Sequence, residues 1–471
     1  MSIPFKHGIV PERWTKVTDV MLEKNPGTPR IHRLRVIQLI EADLNQCLLI
    51  LFTRPMVHNS DKHSLLHRSQ WSTRNQNCTS AILSKTINLE YARITHSPTG
   101  WIENNAKGCF DHIIPSLAVI NCRRYGAPRT GCQTLAKIWN NLRHTIKTSH
   151  GISTEAYQAS AKEYHAGAGQ GSCLPPLIWS TISTQILEIT EEVLHKVAIL
   201  HANNQDPCTS QSEAYVDDTS FMVNLPHSAG RTYTEDAKIL ADQITRVSQR
   251  AEKSLYASGG ALELNKCAWY AMTWKWDPRA KALLAPTSDT PATVELTSGG
   301  ELTSNIRIPR LEPDEASRTL GCYIAPNGSP ATQVKVLLQK AEKFKQVMTN
   351  PAVTKVDAYI LYRVFFFPDT SFPLGVSQIR YKDLKRIESK YMTPTKQQLG
   401  FRKTSSNAIF YGPGKLGGFE LPSLIEFQDQ QHLRMLCGHL RADDHVGRGI
   451  INTVSMLQLE SGLITPAAHS T

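Results

Sequence analysis

Two adjacent carboxylates, Asp217 and Asp218, stand in the middle of the run Glu213-Ala-Tyr-Val-Asp-Asp-Thr-Ser-Phe-Met-Val223. The apolar and β-favouring residues on either side predict two short strands, which puts the pair at the tip of a hairpin. Nothing in the run neutralises them. Keeping such a pair even half away from water is costly unless a cation compensates it. A divalent metal is the natural compensator, since hard oxygen ligands suit Mg²⁺. The competing interpretation is an ordinary acidic turn, because Asp-Asp is common in turns. The rest of the chain decides between them.

At 471 residues the chain can bury a large core and suits two or three domains. An apolar fraction of 41 % with 20 % charged residues is ordinary for a globular protein and excludes disorder. The net charge of +11 points to a polyanionic partner, of which nucleic acid is the commonest. Ten cysteines are scattered singly, with no C-x-x-C pair, and read as small buried residues in a reducing compartment. The start, Met-Ser-Ile-Pro-Phe-Lys-His-Gly8, lacks the apolar core of a signal peptide. The longest apolar runs, Cys47 to Phe52 and Val364 to Pro368, are too short to span a bilayer. A soluble intracellular protein of the nucleus or cytoplasm, with no membrane partner, is expected.

Apolar spacing between Pro29 and Thr53 predicts a long amphipathic helix preceded by an extended basic entry, Arg30-Ile-His-Arg-Leu-Arg35; a flexible loop is expected from His58 to Thr79 and a helix from Ser80 to about Thr95. A strand follows from Gly100 to Ala106, then helices over Asp111–Tyr125, Thr130–Thr148 and Pro176 to about His201. After the aspartate hairpin a helix runs from about Thr234 to Tyr256 and stops at Ser258-Gly-Gly260. Leu262 to Trp276 reads as strand, turn and strand. Residues from Asp277 to about Arg307, dense in Pro, Thr, Ser and Gly, read as a hinge or linker. A strand over Thr319–Ala325 leads into a turn and a mostly helical, basic carboxyl-terminal part.

Several motifs stand in a fixed order around the aspartates. Ile102-Glu-Asn-Asn-Ala-Lys-Gly-Cys-Phe-Asp-His112 joins a strand to a helix, and Gly169-Gln-Gly-Ser-Cys-Leu-Pro-Pro-Leu-Ile-Trp179 joins a glycine-containing loop to the next. Glycines there let the backbone approach a phosphate or base pair, and the helix start favours an anion. Gly259-Gly-Ala-Leu-Glu-Leu-Asn-Lys266 and Leu320-Gly-Cys-Tyr-Ile-Ala325 follow the hairpin; Leu34-Arg-Val-Ile-Gln-Leu39 and Gln70-Trp-Ser-Thr-Arg74 precede it. Taken together over roughly residues 10 to 330, these resemble the motifs of reverse transcriptases of non-LTR retrotransposons. The likeness continues more loosely through Pro394-Thr-Lys-Gln-Gln-Leu-Gly400 and Gly414-Lys-Leu-Gly-Gly418. A viral RNA-dependent RNA polymerase is less apt, since that group generally has Gly before its Asp pair.

The resemblance implies an α+β, right-hand polymerase fold: fingers and the start of the palm over 1–99, and a palm of antiparallel sheet with packed helices over 100–276. A fingers insertion would occupy about 126–165, a linker and primer-grip-like hairpin 277–330, and a basic helical thumb and post-thumb region 331–471. It implies RNA-directed DNA synthesis with an RNA template, a DNA primer and deoxynucleoside triphosphates as partners, and a two-ion Mg²⁺ site. Asp217 would be a metal ligand with Asp218 in support, Phe110 would exclude a 2′-hydroxyl, and Lys266 would act as general acid toward pyrophosphate. Arg35, Arg74, Gln170 and Gly171 would contact substrate. Lys335, Lys340, Lys343, Lys345, Arg380, Lys382, Lys385, Arg386 and Lys390 would hold backbone phosphates. Protein partners are not indicated.

Asn105 stands where the resemblance expects the metal-bridging Asp. An amide offers one neutral oxygen where a carboxylate offers charge and two. Losing that charge costs roughly 10²-fold or more in rate, so an inactive or impaired copy is expected. Glu103 lies on the same strand face, about 6.6 Å along it, and is the nearest carboxylate that could substitute. Asp111 falls beyond the turn. Ser72 for Gly and Pro175 beside Pro176 are further departures. The alternative is a non-catalytic nucleic-acid-binding module or a decayed fragment of a mobile element. No endonuclease region and no RNase H constellation are seen, which suggests a fragment of a longer reading frame.

Overall fold

A computed structural model describes residues 3–24, 27, 30, 34–74, 76–158, 167–194, 198–203, 207–209, 212–228, 230–279, 281–297 and 305–463. The fold mixes helix and sheet, with 52 % of it helical. At its centre lies a four-stranded antiparallel sheet in the order Ala268–Met272, Thr99–Asn105, Asp218–Asn224, Ser212–Tyr215. Alternation decides what each face meets. Ile102, Phe221, Val223 and Trp269 turn toward the helices Pro175–Glu191 and Tyr233–Ala257 in the largest apolar cluster. Trp101, Met222, Tyr270 and Met272 turn the other way, onto Leu89 and Ala92 of the helix Cys78–Thr95. Both faces are therefore covered, and the register is strongly specified.

Gly100 makes one of these contacts possible. A Cβ there would sit 2.8 Å from Ile244 Cδ1, so the helix Tyr233–Ala257 lies close against the strand only because residue 100 lacks a side chain. That helix matches its expected span within a residue at either end. Thr232 and Glu235 form a capping box at its start, and Ser258 with Gly259, at φ +99°, ends it.

A second four-stranded sheet has the order Leu34–Leu39, Lys16–Glu23, Arg143–Thr148, Gly151–Ile152. Two expected helices change here. Within Pro29–Thr53, residues 34–39 are a strand antiparallel to Lys16–Glu23, and helix begins only at Ala42; Pro29 and residues 31–33 lie outside the described set. Within Thr130–Thr148, helix spans Arg129–Asn140, and the β-branched stretch after it pairs in parallel with Lys16–Val20. Pairing with a distant strand overrides local spacing in both cases.

Other boundaries shift for local reasons. Helix continues through Arg54–His63, six residues into the loop expected from His58. The helix after Phe110 starts at Pro115 rather than Asp111, as the missing proline N–H suits a first turn. The helix from Pro175 ends at Glu191, and Ala198–Ile199 is a short strand instead of its last turn. Between 277 and 307, where composition suggests a linker, Ala282–Leu284 pairs with Trp274–Trp276 and Val294–Thr297 pairs with Asn305–Ile308. Val294, Leu296 and Ile308 are buried in the main core.

The remainder is largely helical. The helices Ala331–Met348 and Tyr381–Gln398 pack together around Phe344, Tyr362, Phe366 and Tyr391. The last helix among the described residues, His445–Ser461, returns to the helix Cys78–Thr95, where Val446 joins Ile87 and Tyr91. No helix among the described residues is long and apolar enough to cross a membrane.

Candidate functional site

The aspartate hairpin forms as its sequence predicts. Tyr215 pairs with Asp218 across a turn made by Val216 and Asp217. Such tight hairpins need positive φ at the first central position, which Gly normally supplies. Here it is Val216, at φ +56°. A β-branched residue in that conformation costs of order 1–3 kcal/mol and persists only where its surroundings enforce it. Two bonds do so. Trp179 Nε1 donates to Val216 O at 2.6 Å, and Ala106 N donates to Asp217 O at 2.9 Å.

Across the sheet, Asn105 is the direct partner of Asp218. Its amide Nδ2 donates to Asp218 Oδ1 at 3.0 Å. Burial pushes the Asp218 carboxyl above its ordinary range, and neighbouring Asp217 pushes it the same way; the Asn105 bond opposes them. The donor set at the hairpin is therefore two carboxylates and a neutral amide. Among the described residues no group of three or more His, Cys, Asp or Glu is arranged to hold a metal ion. The residues present fall short of the charge that a pair of divalent ions needs.

Glu103, the conceivable substitute, is committed elsewhere. Lys85, buried to 1 % exposure, donates to its carboxylate, as do Ser220 Oγ at 2.6 Å and Trp101 Nε1 at 3.1 Å. Burial alone would raise the Glu103 carboxyl, but the Lys85 charge and these bonds together hold it below its ordinary range.

The turn after Asn105 and the glycine loop are bound to one another. Ala168 N donates to Phe110 O at 2.9 Å, Gly167 N to Ile113 O at 2.8 Å, and Gln170 Nε2 to Asp111 Oδ2 at 3.3 Å. Phe110 is half-buried against the main core. On the loop's other side Gln38 N donates to Gln170 O at 2.6 Å. Gly169 and Gly171, both at positive φ, lie where any Cβ would run into Gln38. These glycines are thus required by the close strand Leu34–Leu39, which accounts for them without a phosphate. The following Pro175 opens its helix in a permitted position, and Ser72 is not in the left-handed region, so neither departure disturbs the fold.

Cys109, between these elements, has its thiol pushed up to about 12 by burial, with Asp217 and Asp111 adding to the shift. All ten cysteines are free, and most are buried, as their scatter suggests.

The other candidates surround this centre less tightly. Glu263 N donates to Asn105 O at 2.8 Å, which brings the segment ending in Lys266 beside the strand end; Lys266 is exposed. Arg35 is exposed on the strand that abuts the glycine loop. Gln70 and Trp71 add to the sheet edge beside Ala214, and Arg74 is exposed just beyond. Far along the chain, Lys335, Arg380, Lys382, Arg386 and Lys390 line a groove between the helices Ala331–Met348 and Tyr381–Gln398. Not all the basic residues there are free. Lys340 pairs with Asp369 at 2.7 Å, Lys345 with Glu342 at 2.8 Å, and Lys385 with Glu388 and Lys390 with Glu342 at 3.5 Å each.

Sequence reasoning missed Lys85 and Trp179. A lone Lys in the otherwise apolar and small-polar stretch Ser80–Asn88 was the available signal for the first; nothing local marks the second.

No family model matches the chain, and no curated protein is found similar to it. Among solved structures it is similar to telomerase from Candida albicans in complex with a TWJ fragment of telomeric RNA, at 10 % identity and a TM-score of 0.42, covering 97 % of this chain and 64 % of that one. Telomerase from Candida tropicalis with the same kind of RNA fragment matches at 11 % identity and a TM-score of 0.39, covering 98 % and 63 %. The apo form from Candida tropicalis matches at 11 % and 0.38, covering 97 % and 68 %. The chain thus spans 64 % of the first of these structures, and likeness at this level assigns no role to any residue.

Proposed function

We propose that this chain is a reverse-transcriptase-type nucleotidyl transferase of the non-LTR retrotransposon kind, and that Asn105 leaves this copy impaired. The observation that carries the reading is the cross-strand partnership of Asn105 with Asp218, beside Asp217 in a strained turn. The motif order points to this pair before any contact is known.

In this reading the central sheet is the palm, and its open strand end receives the primer terminus and the incoming nucleotide. Asp217 and Asp218 supply negative charge there, where a divalent cation would be held. Asn105 supplies an amide N–H toward Asp218 instead of a third charge. Phe110, whose carbonyl accepts from Ala168 of the glycine loop, would crowd a ribonucleotide. The groove lined by Lys335, Arg380, Lys382 and Arg386 holds nucleic-acid phosphates by charge, without reading sequence.

Primer extension on an RNA template with Mg²⁺ or Mn²⁺, comparing the unmodified chain with Asn105→Asp, tests the proposal. Robust synthesis by the unmodified chain overturns the impairment. The hydrogen bond from Asn105 to Asp218 also favours a second reading, a non-catalytic nucleic-acid-binding module. Salt-sensitive binding with no extension by Asn105→Asp would select it.

A further inference from the structure

Lys85, fully buried, and Glu103, whose side chain keeps 19 % exposure, form an ion pair that the proposed chemistry does not use. Burying two opposite charges rarely adds stability, because desolvation offsets their attraction; neutral groups of similar size often serve as well. The pair's geometry suggests another role. Besides Glu103, the Lys85 ammonium donates to Thr319 Oγ1 at 3.0 Å, and Ser317 Oγ donates to Glu103 Oε1 at 3.3 Å. Ser317 and Thr319 belong to a hairpin in which Ser317–Thr319 pairs with Cys322–Ile324 across Leu320 and Gly321, both at positive φ. On the opposite side, Ser220 Oγ donates to Glu103 from the strand that begins with Asp218. The helix Cys78–Thr95, both central strands and the hairpin thus meet at one charge pair.

We infer that Lys85 is a positioning residue which, with Glu103, pins the Ser317–Ile324 hairpin to the strands carrying Asn105 and Asp218. The consequence rests on the nucleotidyl-transfer reading: a primer strand lying along the hairpin is held at a fixed spacing from the carboxylates. The tether itself does not depend on that reading. Directional bonds to Ser317 and Thr319 fix the hairpin's register on the sheet, which apolar contact alone specifies poorly.

Hydrogen exchange read by mass spectrometry tests the tether directly. Lys85→Met with Glu103→Gln removes the charges while keeping volume: the Gln oxygen still accepts from Trp101, and its amide can donate to Ser220 Oγ in place of the bond it loses. Its apparent melting temperature should stay close to that of the unmodified chain, while amides of residues 317–324 exchange about tenfold faster and those of Tyr233–Ala257 do not change. Ser317→Ala with Thr319→Val removes only the hairpin's side of the tether, leaves the ion pair intact and should give the same acceleration. Unchanged exchange at 317–324 in this second variant overturns the inference, whether or not the first variant folds. In the Asn105→Asp background, the Ser317→Ala, Thr319→Val change should raise KM for primer–template about tenfold and leave KM for the nucleotide unchanged. If Asn105→Asp extends no primer, the nucleotidyl-transfer reading falls and the exchange result alone decides the tether.

Discussion

Two carboxylates lie on one face of the same strand pair and meet opposite fates. Glu103 is enclosed by Lys85, Ser220 and Trp101, and its carboxyl is held below the ordinary range. Asp218, a little further along, has a neutral amide for a partner and a like charge for a neighbour, and its carboxyl is raised. The difference separates a charge that serves the fold from one left under-compensated. Where a protein supplies a buried cation and donors, the carboxylate is structural. Where it supplies less than the charge needs, something from outside is invited.

The sharpest way to break the comparison is to complete the deficient side. Asn105→Asp should raise primer extension about 10²-fold or more in the presence of Mg²⁺ or Mn²⁺, measured as initial rate. The same change should destabilise the metal-free protein, since it adds a further negative charge beside Asp218. Removing compensation from the other side acts on stability rather than on rate. Lys85→Met leaves Glu103 without its cation and should cost about 3–5 kcal/mol in chemical denaturation, most of it recovered when Glu103→Gln is added.

A smaller effect concerns Asp218 and carries a definite sign in pH. A carboxyl whose folded pKa lies above its unfolded value binds its proton more tightly when folded, so stability falls as pH rises from the unfolded value through the folded one. Asp218→Asn removes that penalty. Its apparent melting temperature should exceed that of the unmodified chain at pH 7, and the advantage should vanish below the ordinary carboxylate range. Glu103 contributes with the opposite sign: its stabilisation is present above the ordinary carboxylate range and is lost as pH falls through its depressed folded value. The smallest expected effect is at the turn. Val216→Gly relieves the positive φ and should stabilise the fold by about 1 kcal/mol, read by the same denaturation.

How much of this was legible depended on how local each cause is. The aspartate hairpin, the strand Thr99–Asn105 and the helix Tyr233–Ala257 rest on short-range alternation, caps and stops, and the sequence displays all of these. The strands Leu34–Leu39 and Arg143–Thr148 exist because Lys16–Glu23 lies between them, and no spacing inside either segment says so. Between 277 and 307, residues that suit a linker equally suit short hairpins, and only the burial of Val294, Leu296 and Ile308 distinguishes the two. At the candidate site, the order of the motifs singled out Asn105, Asp217 and Asp218, which the sheet register brings side by side. It could not find that Glu103 is already spoken for, because Lys85 meets it only in three dimensions.

The return of the last helix to the helix Cys78–Thr95 has a consequence for how this chain can be divided. Val446 covers Ile87 and Tyr91, and Asn452 Nδ2 donates to Ile199 O at 2.9 Å. A shortened protein ending near residue 330 would keep every residue of the aspartate site and still uncover part of the helix that carries Lys85. The part that carries the aspartates and the helical part are therefore one folding problem, closed by the helix His445–Ser461 like a strap passed back through its own buckle.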